Sequence, residues 1–274
     1  MTGSGEFPGA TADRSGAAYC VVGAPLDAST TFRPGARFGP RRVRHFATAV
    51  DDYDHHTGQR FTSLGVSDHG DVHPGDDARE YLAYLEGVVS DLRDEGTVPL
   101  LVGGEHTVTV AGVRAVDPDV FVCCDAHLDL RESYLGNPLN HATVTHHALE
   151  TADEAVLLGA RTGNEAEWDR AEADDVTVVP PESVPEWTPP ESVEAGSVYL
   201  SVDIDAADPS VAPGTGTMEP FGLSARELHE VARTVAPHAE AVDVVEVNDR
   251  DDGQSAVLAA KLLRAAVYAH ADAR

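Results

Sequence analysis

Lysine is all but missing from this chain of 274 residues: Lys261 is the only one among 19 basic residues, set against 47 acidic ones, for a formal charge of −28. Nucleic-acid binding needs clustered Lys and Arg to displace counterions from phosphates, so that class of partner is excluded, and a polyanionic substrate is disfavoured. The acids are spread along the chain instead of gathered in one tail. This pattern fits a salt-rich cytoplasm, where screening shortens the range of self-repulsion and carboxylates keep the surface hydrated. Long hydrophobic runs are absent too. Without eighteen consecutive apolar residues no membrane span is expected, and Met1 to Ser15 has glycine and acid where a signal peptide needs a basic and then an apolar stretch. Cysteine is scarce: Cys20 and the adjacent Cys123 and Cys124 offer no Cys-x-x-Cys spacing and no good bridging pair, which points to a reducing, cytoplasmic setting.

What is present is an alternation of apolar runs with amphipathic or alanine-rich segments, the pattern of a parallel sheet covered on both faces. Strands are expected at Tyr19 to Ala24, Thr62 to Val66, Val98 to Val102, Val120 to Cys124, Ala155 to Leu158, Val176 to Val179, Ser197 to Ile204 and Ala241 to Val247. Helices are expected at Pro40 to Ala49, Asp77 to Glu95, Glu165 to Ala173, Ser224 to Val235 and Gln254 to His270, from apolar residues at three- and four-residue intervals. Ser224 with Glu227 makes a capping box. The five prolines from Pro180 to Pro190 read as a surface connection. Residues 1–15 read as a disordered extension and 16–274 as one domain.

Four of these strands end in residues that carry chemistry, and in open α/β sheets ligands collect at the carboxyl ends of strands. Val120 to Cys124 runs into Asp125-Ala126-His127-Leu128-Asp129, where alternation lets Asp125, His127 and Asp129 converge. Val198 to Val202 runs into Asp203-Ile204-Asp205, Val98 to Val102 ends at Gly103-Gly104-Glu105-His106, and Val242 to Val245 leads to Glu246. So many carboxylates on buried strand ends would repel one another unless cations neutralised them. Four aspartates and two histidines make an oxygen-rich set without thiolate, which suits two Mn²⁺ ions better than tetrahedral Zn²⁺, and such a pair activates water for hydrolysis. Taken singly, Asp125 or Asp203 reads equally well as a helix cap and Gly-Gly-x-His as a turn.

Together the motifs resemble those of the ureohydrolase family, the arginases and agmatinases. Gly103-Gly104-Glu105-His106, Asp125-Ala126-His127-Leu128-Asp129 and Ser201-Val202-Asp203-Ile204-Asp205-Ala206-Ala207-Asp208-Pro209 with Pro213-Gly214-Thr215-Gly216-Thr217 are similar to the family's three signatures. The openings Gly23-Ala24-Pro25-Leu26-Asp27 and Arg33-Pro34-Gly35-Ala36-Arg37-Phe38-Gly39-Pro40 also resemble agmatinases. The resemblance implies a three-layer α/β/α sandwich around a mainly parallel sheet. It implies that His106, Asp125, Asp129 and Asp203 hold one manganese, and Asp125, His127, Asp203 and Asp205 the other. A metal-bridging hydroxide would then attack a guanidinium carbon held by Glu246, with Asp129 passing a proton to the departing amine and His141 shuttling protons at the mouth. Trimers or hexamers are the family's common assemblies.

Substrate choice rests on the loop Arg131 to Val144, which resembles agmatinases rather than the arginase stretch Asp-Ser-Asn-Ser-Gly-Asn; Glu105, where arginases usually have Asp, points the same way. Agmatine, a small cation with no carboxylate, suits an acidic mouth, and Glu132 is a candidate partner for its ammonium or simply a solvated acid. Guanidinobutyrase and arginase remain alternatives, as do a non-catalytic metal-binding homologue and a deacetylase or phosphatase on a similar scaffold. Departures from the family pattern are Met218 in place of proline, Asn248-Asp249 in place of Asn-Pro, and Cys123-Cys124 before the first metal aspartate, the two cysteines reading as small core residues. His55, His56, His146 and His147 read as surface residues without carboxylates at ligand spacing, and Trp168 and Trp187 as packing or interface residues.

Overall fold

The computed structural model describes residues 6–274. Eight parallel strands form one sheet: β1 (Tyr19–Ala24), β2 (Val66–Asp71), β3 (Val98–Gly103), β4 (Val120–Cys124), β5 (Glu154–Leu158), β6 (Val176–Val179), β7 (Val198–Asp203) and β8 (Ala239–Val245). Their order across the sheet is β2-β1-β3-β8-β7-β4-β5-β6. Strands buried on both faces read as near-continuous apolar runs, which is why β1, β3, β4 and β7 are buried along their whole length. Helices α1 (Gly39–Phe46), α2 (Ala78–Asp94), α3 (Thr109–Val116), α4 (Val144–Ala148), α5 (Glu165–Arg170), α6 (Glu191–Ala195), α7 (Ala225–Val235) and α8 (Gln254–Asp272) connect them.

Alternate residues of each strand feed two separate cores, so the architecture is the expected three-layer α/β/α sandwich. Tyr19, Val21, Leu100, Val102, Val122, Leu200 and Val244 pack on one face with Val43 of α1, Leu228 and Val231 of α7 and Leu262 and Leu263 of α8. On the other, Cys20, Val22 and Leu101 meet Leu82, Leu85 and Val89 of α2, while Phe121, Cys123 and Tyr199 meet Val110 and Val113 of α3 and Val144 of α4. The capping box at Ser224 forms as expected, its hydroxyl accepting from the Glu227 amide. Among the described residues no helix is long and apolar enough to cross a membrane.

Two expectations are corrected, and one helix is added. Thr62 to Val66 is not a strand: Phe61–Ser63 is a 3-10 turn, and the strand is the following polar run Val66-Ser67-Asp68-His69-Gly70-Asp71. That run can pair because it lies at the sheet edge, and buried Arg44 of α1 binds its Asp68 and Asp71 carboxylates. Helix α3 is added to the expected helices: it is only eight residues long and, apart from exposed Arg114 and half-buried Ala115, is buried against the sheet and α2, so its amphipathic period is weak. Its Gly112 is obligatory, since a Cβ there would sit 2.1 Å from the Tyr199 hydroxyl oxygen. The extension is not disordered from residue 6 onward, whereas residues 1–5 lie outside the described part. Phe7 is fully buried against Phe61 and Arg264, its N–H donates to Asp68, and the Ala12 N–H donates to the Val66 carbonyl. An aromatic anchor outweighed the composition of the segment.

Candidate metal centre

The four strands whose ends carry the acid and histidine motifs are neighbours at the middle of the sheet, in the order β3-β8-β7-β4. At the end of β3 the chain turns under Leu26, and a Cβ on Gly104 would stand 1.9 Å from the Leu26 carbonyl oxygen, so only glycine fits. The turn delivers His106, whose amide donates to Glu246 Oε1 at 2.8 Å, while the Glu246 amide donates to the Gly104 carbonyl at 2.8 Å. Two ends of adjacent strands thus fix each other.

His106 Nδ1 lies 3.1 Å from Asp125 Oδ2, 3.0 Å from Asp129 Oδ2 and 3.5 Å from Asp203 Oδ2. His127 Nδ1 lies 3.4 Å from Asp125 Oδ1 and 3.2 Å from Asp205 Oδ2. Asp125 therefore faces both imidazoles, one with each oxygen. The six residues named from the motifs come together, but not by simple alternation. The strand stops at Cys124, and Asp129 reaches the cluster with φ of 50°, a left-handed conformation that costs a non-glycine residue on the order of 1–3 kcal/mol. Glu246, at φ 60°, is strained in the same way. Asp205 arrives on a 3-10 turn capped by Asp203, whose Oδ1 accepts from the Asp205 amide.

The electrostatics fit cations. Asp125, Asp129, Asp203, Asp205 and Glu246 are all buried, and no Lys or Arg side chain pairs with any of them among the described residues. Burial and the neighbouring Asp125 charge push Asp129 up to about 7, and burial pushes Glu246 up to about 8. Asp203 is raised by burial and by the charges of Asp205 and Asp125. Burial works against Asp125 as well, but the facing His106 and His127 side chains hold it well below the usual carboxylate range. Asp125 Oδ2 is buried without a hydrogen-bond donor, because His106 approaches it off the hydrogen-bond direction. An orphaned carboxylate oxygen inside a ring of acids is what a bound cation would satisfy. His106 with Asp125, and Asp125 with His127 and Asp205, form two clusters consistent with a binuclear metal centre.

Cys123 also approaches this cluster, its Sγ 3.8 Å from His106 Nε2. The sulfur is on the far ring nitrogen from the acids, and burial pushes its thiol well above the ordinary value, so the oxygen-rich character of the set stands. Cys123 and Cys124 are otherwise the buried core residues expected.

Around the centre, Glu105 is a loop clamp: it accepts from the amides of Ala28, Ser29 and Thr30 and from the hydroxyls of Ser29 and Thr107. His141 hangs on the same loop, its amide donating to Ser29 Oγ at 2.9 Å and its Nε2 lying 3.1 Å from Thr31 Oγ1. Burial lowers the His141 pKa. Glu132 is exposed. Arg161, which sequence reading passed over, donates to the carbonyls of Gly159, Asp205, Ala206, Ala207, Glu219 and Pro220, locking the turn behind Asp205. Of the departures, Met218 meets the Arg33 guanidinium through sulfur at 3.9 Å, and Asn248 donates to the Arg33 carbonyl.

Of the remaining histidines, His55 and His56 are exposed as expected, but the reading that no carboxylate stands at ligand spacing is corrected. Asp54, His55 and His56, and His146, His147 and Glu150, do bring potential ligand atoms together. Asp54, however, is already engaged by Thr57 and Arg233. His147 is no surface residue: it is buried, Nε2 donates to the Pro138 carbonyl, and Nδ1 faces Glu150. Trp187 packs against the core as expected, and Trp168 is exposed.

A family model described as the arginase family matches residues 17–268. The chain belongs to the arginase family. An agmatinase of Bacillus anthracis is 34% identical over 260 residues, 89% of each chain. An N(1)-aminopropylagmatine ureohydrolase of Thermococcus kodakarensis is 34% identical over 266 residues, 94% of this chain and 92% of that one. The crystal structure of an agmatine ureohydrolase of Thermoplasma volcanium superposes with a TM-score of 0.91 at 31% identity, covering 97% of this chain and 94% of that one. As an arginase-family protein the chain is a hydrolase of the ureohydrolase type.

Proposed function

We propose that this ureohydrolase is a manganese-dependent agmatinase that converts agmatine and water to putrescine and urea. The observation that carries the reading is the ring of four buried carboxylates about two imidazoles, paired with no Lys or Arg among the described residues, with Glu246 beside it. His106, Asp125, Asp129 and Asp203 would hold one ion, and Asp125, His127, Asp203 and Asp205 the other. The oxygen-rich donor set favours Mn²⁺. When bound, such a pair supplies Lewis acidity and activates water at neutral pH.

The protein's own groups do the rest. Glu246 Oε1 is taken by the His106 amide, while Oε2 accepts nothing from the protein among the described residues. It lies 3.3 Å from where a Cβ of Gly216 would stand, so the absence of that side chain keeps the carboxylate open to a guanidinium. A guanidinium held there by charge-assisted hydrogen bonds presents its carbon to the centre. Asp129, placed beside His106 at the centre, is positioned to carry a proton at Oδ to the departing amine. His141 at the mouth, kept neutral by burial, relays protons to solvent.

Agmatine is preferred over arginine because it lacks the α-carboxylate, which an acidic chain of charge −28 disfavours. The names of the two curated relatives pull apart on tail length at equal identity, so the substrate has to be measured. Urea release is followed from agmatine, aminopropylagmatine, arginine and guanidinobutyrate with Mn²⁺ in concentrated KCl. Turnover is expected to be highest with agmatine; no urea from any of them refutes the ureohydrolase reading, and a clear preference for another tail refutes agmatine alone.

A further inference from the structure

Register in the sheet places three residues in one row across adjacent strands: Cys123 of β4 opposite Ser201 of β7, and Ser201 opposite Asp243 of β8. All three are completely buried, directly beneath His106. Asp243 has no cationic side chain against it among the described residues. Instead it accepts three hydroxyls: Thr109 and Tyr199 on Oδ2 at 2.7 and 2.8 Å, and Ser201 on Oδ1 at 2.6 Å. The Ser201 oxygen is also 3.2 Å from His106 Nε2.

A serine hydroxyl has one proton to give. The 2.6 Å contact is of the length expected for a hydroxyl donating to a carboxylate, so that proton points to Asp243. Ser201 is then left with lone pairs for His106, and the ring must donate from Nε2. The Cys123 thiol turns toward the Cys124 carbonyl, leaving its sulfur as a second acceptor beside the same N–H. A neutral imidazole protonated at Nε2 carries its free lone pair on Nδ1, the nitrogen that faces Asp125, Asp129 and Asp203. We propose that Asp243 is a positioning residue that acts through Ser201 to hold His106 with Nε2–H inward and Nδ1 presented to a divalent cation. The inference rests on His106 being a ligand; the direction of the hydrogen-bond chain is its own content.

The test uses the full chain. Mn²⁺ dissociation constants are read from the free-ion electron paramagnetic resonance signal. Asp243→Asn, whose amide can reverse the chain by donating to Ser201, and Ser201→Ala are expected to weaken binding about 10–100-fold, the usual cost of an outer-sphere partner. Tyr199→Phe and Thr109→Val remove hydroxyls from the same carboxylate off the route to His106, and should stay within about threefold of the parent by that measure. Ser201→Thr, which keeps the hydroxyl, should restore affinity. In protein loaded with diamagnetic Zn²⁺, a ¹⁵N-histidine spectrum should show His106 bound through Nδ1 with a slowly exchanging Nε2–H that is lost in Ser201→Ala. Melting temperatures of the metal-free variants separate misfolding from this effect. Binding through Nε2, or Asp243→Asn and Ser201→Ala with parental affinity and exchange, overturns the proposal. A parent that binds no Mn²⁺ or Zn²⁺ overturns the metal reading instead.

Discussion

Glu105 offers the sharpest connection between a buried charge and the mobility of the site mouth. Its carboxylate is 1% exposed and takes the amides of Ala28 and Ser29 at 2.7 Å each and of Thr30 at 3.2 Å on Oε2, with Ser29 Oγ at 2.8 Å and Thr107 Oγ1 at 2.7 Å on Oε1. Replacing it by glutamine keeps the shape: the amide oxygen can still receive the backbone amides, and the NH₂ can face the two hydroxyls if they rotate to accept. What is lost is charge assistance, and hydrogen bonds to charged groups exceed neutral ones by about 1 kcal/mol each. With rearrangement shared over the loop, Glu105→Gln should cost about 1–2 kcal/mol, or roughly 2–8 °C in melting temperature for a domain of this size. Glu105→Ala removes every acceptor and should cost about 3–5 kcal/mol, the range for a broken buried network. Ser29 Oγ, released from the clamp, would no longer pin the His141 amide, so kcat should fall about tenfold, a part of the roughly 10²–10⁴-fold that a positioned acid–base group contributes. Thermal melts and urea-release kinetics on the two variants check both numbers. If Glu105→Ala melts with the parent and keeps its kcat, Glu105 does not hold this loop.

The other predictions concern charge. Asp203→Asn and His127→Ala should each abolish Mn²⁺ binding measured by calorimetry together with urea release, a larger loss than the roughly 10–100-fold of an outer-sphere change; full activity in either overturns the ligand assignment. His270, buried with Nδ1 accepting from the Tyr19 hydroxyl, is lowered by burial to about 4. Its folded value lies below its unfolded one, so it contributes stability that is complete above about pH 6.5 and is lost as pH falls toward 4, by about 1–2 kcal/mol after allowance for residual solvent contact. Urea denaturation of the parent and of His270→Phe at pH 7 and 5 should show a smaller loss in the variant, and equal losses would dismiss the linkage. Finally, with a charge of −28 the melting temperature should rise with KCl as self-repulsion is screened, and a flat response from dilute to concentrated salt would remove the halophilic reading.

How much of this was legible in the sequence depends on what kind of order each residue obeys. Strand β4 reads correctly from Val120 to Cys124 because a central parallel strand must be apolar on both faces, and the first residue that breaks the run, Asp125, is the first that leaves the sheet. Glu246 likewise follows the last residue of β8, whereas Asp203 is still paired within β7, and the rule fails where the sheet ends. At β2 only one side is paired, so polar residues suffice and the apolar residues before them belong to a turn. Local pattern also misjudged Asp129, since alternation predicted its convergence for the wrong reason: a left-handed backbone, not the pleat, brings it to His106. Ser201 and Asp243 were visible as polar residues inside apolar strands, and an aspartate amid Ala239–Val245 with no Lys or Arg nearby in sequence is a signal in its own right. Its meaning depends on which residue of β7 stands opposite, a fact of register between segments some forty residues apart that no local period encodes. Ligand identity is therefore written along single strands, whereas the hydrogen bonds that orient a ligand run across them.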